Sequence, residues 1–288
     1  MHLSSRWLLA MAALFVGSTH AEPPDGGAVS AQEAAAAVST VVGDLRIHDG
    51  IGSGRIAPRR VSVWLPPGYE DNADRRYPVL YMHDGQNCFD VARSAFGMEW
   101  RMDEEATRLI AEGRIEPIII VGIDNNGELR RDEYGETELG AEYRRFVVET
   151  VKPLVDRTYR TKPEASHTAT MGASMGGTVS FLLAWERPDV FFGAACLSPA
   201  FMDPIQNRVR RHRGKRPPIR LYIDNGELGI DQKLQPGITM MLVRLQQKGF
   251  EIDEDLVFFL DEKAEHNEKA WSARVWRPLE FLFGTSRN

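Results

Sequence analysis

Residues 172–177 carry Gly172-Ala173-Ser174-Met175-Gly176-Gly177, a G-x-S-x-G pattern centred on Ser174. The stretch before it, Thr168 to Met171, reads as a short buried strand, and the run after it, through Phe181, Leu182 and Leu183, reads as a helix. In that context the pattern is a serine held on a sharp strand-to-helix turn, its hydroxyl lifted out for nucleophilic attack. The glycines belong to the turn, because a side chain on either side of the serine would collide with neighbouring backbone. A serine hydroxyl is a poor nucleophile near neutral pH, so a base must take its proton.

In sites of this order the acid and the histidine follow the serine. His266 and His212 are the two histidines after Ser174. His266 stands in Ala264-Glu265-His266-Asn267-Glu268, between the last apolar strand segment and a helix, where the general base belongs. His212 lies in a basic loop and is the weaker candidate. The acid that orients the imidazole should follow the segment Ile219 to Ile223. Asp231, Glu227 and Asp224 all qualify by order; Asp231 ranks first for its reach, Glu227 second, and Asp224 third as a residue nearest the strand end. Its part is to fix the imidazole tautomer without itself taking the proton. Two N–H donors are needed for the oxyanion. The amide of Met175 supplies one, and the loop His83-Asp84-Gly85-Gln86-Asn87 should supply the other, from Gln86, with Gly85 letting the backbone bend. His48, His83 and His167 show no metal-ligand spacing with another His or with Cys, so no metal and no cofactor is expected. His83, beside Asp84, reads as a residue that shapes its loop by hydrogen bonding.

The elements that must position these groups alternate along the chain. Val61 to Leu65 has two unlike faces, whereas Val79 to Met82, Ile118 to Ile123, Thr168 to Met171, Ala194 to Leu197, Ile219 to Ile223 and Leu256 to Leu260 are more uniformly apolar, as strands buried on both sides are. Helical patterns lie between them at about Met102 to Glu112, Glu142 to Val155, Gly176 to Glu186, Leu234 to Lys248 and Glu268 to Leu282. That alternation specifies an α/β fold, a central, mostly parallel twisted sheet with helices on both faces. The chemistry-bearing residues fall beyond the carboxyl ends of strands, where such sheets gather their sites.

The first residues and the composition bound the setting. Arg6, an apolar run from Trp7 to Val16 and small or polar residues to Ala21 form a signal-peptide pattern over residues 1–21. The apolar run is far shorter than the roughly 20 residues a membrane helix needs. Export to the periplasm or outside the cell is the expectation. Residues 22–42, rich in Pro, Gly and Ala, read as a tether or one loose helix, and residues 43–288 as one catalytic domain. The formal charge is −6, and −7 without Arg6, which gives a nucleic acid no electrostatic reason to bind. Cys88 and Cys196 are the two cysteines; a pair of reduced, buried thiols is favoured over a bridge. The oligomeric state is not set by the sequence.

Together these segments resemble the "Putative esterase" family, the esterase D-like group of α/β-hydrolases that includes feruloyl, acetyl-xylan and siderophore esterases, S-formylglutathione hydrolases and mycolyltransferases. The likeness runs from about Val61 to Phe283 and rests on Val63-Trp64-Leu65-Pro66-Pro67-Gly68-Tyr69, Tyr77 to Asn87, Val121-Gly122-Ile123-Asp124-Asn125, Tyr159-Arg160-Thr161, the serine turn, and His266-Asn267-Glu268 with Trp271. It implies an α/β-hydrolase fold, Ser174 as nucleophile, His266 as base and an oxyanion loop at Asp84 to Asn87. The acid segment, Asp224 to Asp231, departs from the family's commoner Gly-Thr form, and the export signal argues against the cytosolic formylglutathione branch. Asp84, Asn125, Arg131 and Tyr134 are candidate substrate-binding residues at the cleft rim; a loop held by its own polar contacts is the alternative. The basic run Arg208 to Arg216 sits where these folds insert a cap, either as solvated surface or as an attractor for an anionic acyl group or siderophore. The leading reading is an exported serine esterase; acyl transfer to an alcohol by the same triad and a non-catalytic binding module are the alternatives.

Overall fold

The computed structural model describes residues 38–285. Its strands are β1 (Asp44–Ser53), β2 (Ile56–Leu65), β3 (Val79–His83), β4 (Ile119–Ile123), β5 (Thr168–Ala173), β6 (Gly193–Leu197), β7 (Arg220–Gly226) and β8 (Leu256–Asp261). They form one sheet in the order β1-β2-β4-β3-β5-β6-β7-β8. β2 runs antiparallel to β1 and β4, and every other neighbouring pair is parallel. The expected mostly parallel α/β sheet is what the chain builds.

The helices are α1 (Met102–Ala111), α2 (Arg130–Tyr134), α3 (Glu138–Phe146), α4 (Lys152–Thr158), α5 (Met175–Glu186), α6 (Asp203–Arg211), α7 (Ile230–Gln247), α8 (Glu268–Arg274) and α9 (Trp276–Phe283). Successive strand residues point to opposite faces, and the two faces carry separate cores. Val79 and Tyr81 join Val121, Phe146, Val179 and Ile238 on the side of α3 to α7. Leu80 and Met82 join Ile120, Met102, Leu109 and Leu279 on the side of α1, α8 and α9. In α1, the buried residues Met102, Ala106 and Leu109 recur at helical spacing, and Glu104 and Glu105 in the first turn complement the positive end of the helix dipole. α5 is buried almost all round, from Gly176 to Trp185, so it is the central helix behind the serine turn.

Several element boundaries differ from the sequence reading. β1 was not anticipated: it is an edge strand whose burial pattern has no clean alternation. α2 and α6 are short and polar and gave no apolar period. The helix expected from Leu234 begins at Ile230 and carries Pro236 inside it. The first turn, Ile230 to Lys233, carries Asp231 and is polar after Ile230, so no apolar period marks it. The segment expected at Glu142 to Val155 starts earlier, at a cap where the Thr137 hydroxyl accepts from the Gly140 N–H at 2.9 Å, and continues through a π-turn at Val147–Val151 into α4.

The residues read as signal peptide, 1–21, and the first part of the expected tether, 22–37, lie outside the described residues. The last part, 38–42, is fixed to the domain. Ser39 Oγ donates to Asp90 at 3.0 Å, the Thr40 hydroxyl donates to Glu99, and the Val42 N–H donates to Asp103 at 2.6 Å. The Val42 carbonyl accepts from the Trp64 indole at 2.8 Å. Among the described residues no helix is long and apolar enough to cross a membrane.

Candidate active site

Ser174 stands between β5 and α5 with φ 56 and ψ −124. That conformation is strained for any side-chain-bearing residue and persists only where its surroundings enforce it. The turn is enforced by close packing. A Cβ on Gly172 would lie 2.6 Å from the Gly176 backbone, and one on Gly176 would lie 3.0 Å from the Asp84 carboxylate. The Ser174 N–H donates to Leu197 O at 2.9 Å, tying the turn to the end of β6.

Ser174 and His266 line the same cavity, of about 430 Å³, at the carboxyl ends of β3, β5 and β8. Two larger hollows, about 510 Å³ beside Arg208 and about 730 Å³ along α7, contain neither group. His266 is presented by the start of α8: the next residue, Asn267, caps that helix, its side chain accepting from the Ala270 N–H at 2.9 Å. The imidazole Nδ1 lies 2.6 Å from Asp231 Oδ1, with the Asp231 side chain fully buried and that of His266 13% exposed. Trp271 packs edge-on against the imidazole, ring centroids 4.9 Å apart.

The three acid candidates are separated by geometry. Asp231, in the first turn of α7, is the one that meets His266. Glu227 is exposed and borders the groove along α7. Asp224 is buried and ion-paired to Arg274, with contacts of 3.0 and 3.1 Å. His212 bonds Lys215 O at 2.9 Å and packs beside Trp185, at the C-terminal end of α5.

The loop after β3 makes the opposite wall. Here the left-handed residue is Asp84, φ 60, and Gly85 serves a different purpose from the expected bend. A Cβ there would lie 2.4 Å from the Gly122 backbone, so glycine is what lets the loop press against β4 and bring Gln86 to the cavity beside Ser174. The Gln86 side chain accepts from the Asn125 N–H at 3.2 Å. Asp84 is clamped by Arg130, two bonds of 2.6 and 2.7 Å, and by Asn125 Nδ2 at 2.7 Å. His83 is fully buried beneath, 2.9 Å from the Tyr143 hydroxyl and 3.2 Å from that of Thr170; burial pushes its imidazole down to about 3.

Of the rim candidates, Asp84 and Asn125 line the cavity. Arg131 is exposed and outside its lining, and Tyr134 is fully buried, its hydroxyl accepting from the Asp84 N–H at 3.1 Å. Arg130 holds the place expected of Arg131. Adjacent helix residues point about 100° apart, and Arg130 is the one four residues before buried Tyr134, over whose ring its guanidinium sits at 5.1 Å; that spacing is the signal that could have chosen it. Phe96, 89% exposed with φ 66, and Trp100 add aromatic surface, and burial raises the Glu268 carboxyl above its usual range. The basic run lies elsewhere. Arg208 pairs with Glu136 and Glu186, and Glu186 is the last residue of the helix that Ser174 precedes. Over twelve residues that helix separates the two by about 17 Å.

Cys88 and Cys196 are free and buried, and burial raises both thiols. Spacing of His and Cys did not reveal that Glu99, Asp103 and Glu104 bring carboxylate oxygens within 4.8 Å of one another. They lie where residues 40–42 dock, and burial pushes Asp103 up to about 8, so a proton neutralises it at neutral pH.

The strand order with an antiparallel β2, the strained serine turn after β5 and a histidine after β8 define an α/β-hydrolase. A family model described as "Putative esterase" matches residues 56–277, and the chain belongs to that family of carboxylic-ester hydrolases. The endo-1,4-beta-xylanase/feruloyl esterase of Xylanibacter ruminicola is 28% identical over 229 residues, which are 77% of this chain and 29% of that protein. A solved ferulic acid esterase superposes with a TM-score of 0.70 at 19% identity, over 83% of this chain and 98% of the other. The enterobactin esterase of Shigella flexneri superposes with a TM-score of 0.65 at 14% identity, over 83% of this chain and 59% of the other.

Proposed function

We propose that this chain is an exported serine esterase that works through an acyl-enzyme on Ser174. His266 Nε2 takes the hydroxyl proton as the oxygen attacks the ester carbonyl, and returns it to the departing alcohol. The amides of Met175, at the N-terminus of α5, and of Gln86 receive the oxyanion. Water then attacks the acyl carbonyl as it gives a proton to His266, and the imidazole returns that proton to Ser174 Oγ as the acyl–Oγ bond breaks and the acid leaves. The observation that carries the reading is the 2.6 Å contact between His266 and buried Asp231 at a cavity that also holds the strained Ser174. Export rests on the signal-peptide pattern of residues 1–21.

The cavity walls favour an ester with an aromatic acyl group. Phe96, Trp100 and Trp271 put aromatic rings in its lining, and Asn125, Arg130 and Glu268 put polar groups there. An anionic siderophore drawn by Arg208 to Arg216 is disfavoured, since Arg208 is held by Glu136 and Glu186 at the far end of α5. The test is turnover of p-nitrophenyl acetate, methyl ferulate and an acetylated sugar by wild type and Ser174→Ala. Loss of the nucleophile should lower kcat by about 10⁶, with methyl ferulate the best of the three in wild type. Near-normal turnover by Ser174→Ala would end the mechanism, and preference for the acetylated sugar would end the aromatic assignment.

A further inference from the structure

Ser198 follows β6, is fully buried and has φ 41, a left-handed conformation that a serine adopts at a cost. Its backbone N–H is held by Asp224, main-chain oxygen at 3.0 Å and Oδ1 at 3.1 Å. Its Oγ has three partners: Trp271 Nε1 at 3.1 Å, Arg274 Nη2 at 2.9 Å and Asp231 Oδ2 at 3.0 Å. A hydroxyl has one proton to give and two lone pairs to accept with. Indole and guanidinium nitrogens only donate, so they occupy both lone pairs. The single Ser198 proton therefore has one destination, Asp231 Oδ2.

That oxygen also accepts from the Gly226 N–H at 2.9 Å. With two donors aimed at it, Oδ2 carries no proton of its own. The other carboxylate oxygen, Oδ1, faces His266 Nδ1 at 2.6 Å. With Oδ2 filled by two donors, the contact holds a single proton between Oδ1 and Nδ1; held on Nδ1, it leaves the Nε2 lone pair for the cavity. Arg274 is neutralised by both oxygens of Asp224, so it reaches Ser198 as a fixed donor in a compensated pair. Trp271 touches both ends of the arrangement, donating to Ser198 through its N–H and packing its ring on His266.

We infer that Ser198 is a positioning residue for the base: filled by Trp271 and Arg274, its hydroxyl can donate only to Asp231, and this fixes the acid and thereby the His266 tautomer. The inference rests on the reading that His266 activates Ser174. It assigns work to the residue just after β6, an element that supplies none of the triad.

The experiment uses the full chain with Ser198→Gly and Ser198→Ala. Glycine removes the hydroxyl and relieves the positive φ, and thermal unfolding measures what the Trp271 N–H left without its acceptor costs. On p-nitrophenyl acetate, kcat should fall about 10–100-fold, the range that one hydrogen bond to a charged group covers, with KM little changed. The acid limb of the kcat–pH profile should move to higher pH, because a carboxylate that has lost a donor is more basic and holds the imidazolium more tightly. Fluorophosphonate labelling of Ser174 should slow in parallel. Glu227→Gln, exposed and away from His266, keeps the Ser198 hydroxyl and its acceptor, so its acid limb should stay in place; a shift as large as that of Ser198→Gly would overturn the assignment. So would a Ser198→Gly enzyme with lowered Tm but wild-type kcat and acid limb, the mark of a purely structural serine. If Ser174→Ala is inactive while Ser198→Gly matches wild type, only the positioning role fails; if Ser174→Ala is active, the serine mechanism itself fails.

Discussion

Replacing Asp231 with asparagine changes one oxygen for an amino group at constant size, and the surrounding donors decide which way the amide turns. The Oδ2 position receives Ser198 Oγ at 3.0 Å and the Gly226 N–H at 2.9 Å. Only an acceptor fits there, so the asparagine oxygen must take it and the NH₂ group must face His266 Nδ1. Nδ1 then becomes an acceptor, the ring proton moves to Nε2, and Nε2 can no longer receive the Ser174 proton. The same exchange in a Ser-His-Asp peptidase lowers kcat by ~10⁴ through the wrong tautomer, and a comparable loss here is about 5.4 kcal/mol of transition-state stabilisation. Folding should be nearly untouched, because every contact to Oδ2 survives; a cost of about 1 kcal/mol would move Tm by roughly 2–4 °C in a domain of this size. The assay is kcat on p-nitrophenyl acetate across pH 5–9, beside thermal unfolding, with Glu227→Gln as a control expected to match wild type. A properly folded Asp231→Asn enzyme within about tenfold of wild-type kcat would refute the tautomer argument and the assignment of the acid.

Two further outcomes follow from buried geometry. Gly85→Ala places a methyl group 2.4 Å from the Gly122 backbone; the loop must lift from β4, costing about 1–3 kcal/mol in urea unfolding and, because Gln86 moves with it, lowering kcat more than it raises KM. His83 is neutral in the folded protein down to about 3, whereas an unfolded histidine protonates near 6.5. Between those values the unfolded chain binds the extra proton, so stability falls as pH falls, by up to about 1.4 kcal/mol per pH unit from this group. His83→Gln should flatten that slope in urea unfolding at pH 4, 5 and 6; an unchanged slope would place the titration elsewhere.

The parts of this molecule that were legible in the sequence are those fixed by local chain chemistry. Strands such as Val79 to Met82 and Ile118 to Ile123 announce double-sided burial by composition, and the serine turn announces itself because only glycine tolerates backbone at the distances seen around Gly172. The order expected of serine, acid and histidine left three candidate acids led by Asp231, and Asp231 is the one whose side chain meets His266. Less legible were features decided by partners distant in sequence. Ser198 reads as an ordinary serine until Trp271 and Arg274 arrive more than seventy residues later. The choice between Arg130 and Arg131 turns on the phase of a five-residue helix too short to show a period. The docking of residues 38–42 depends on acids at 90, 99 and 103 that no composition rule connects to a Pro-, Gly- and Ala-rich segment.

The order of the strands in the sheet has a consequence in time. A chain made from its N-terminus has the whole wall of the cavity from β3 and the serine turn after β5 well before the segment bearing His266, Trp271 and Arg274 exists. β8, the last strand in sequence, pairs with β7 at the edge of the sheet, so His266 follows the last strand to be synthesised. On the proposed mechanism, a nascent chain that ends short of His266 holds Ser174 without its proton acceptor, and hydrolysis would await the last strand and the helix after it.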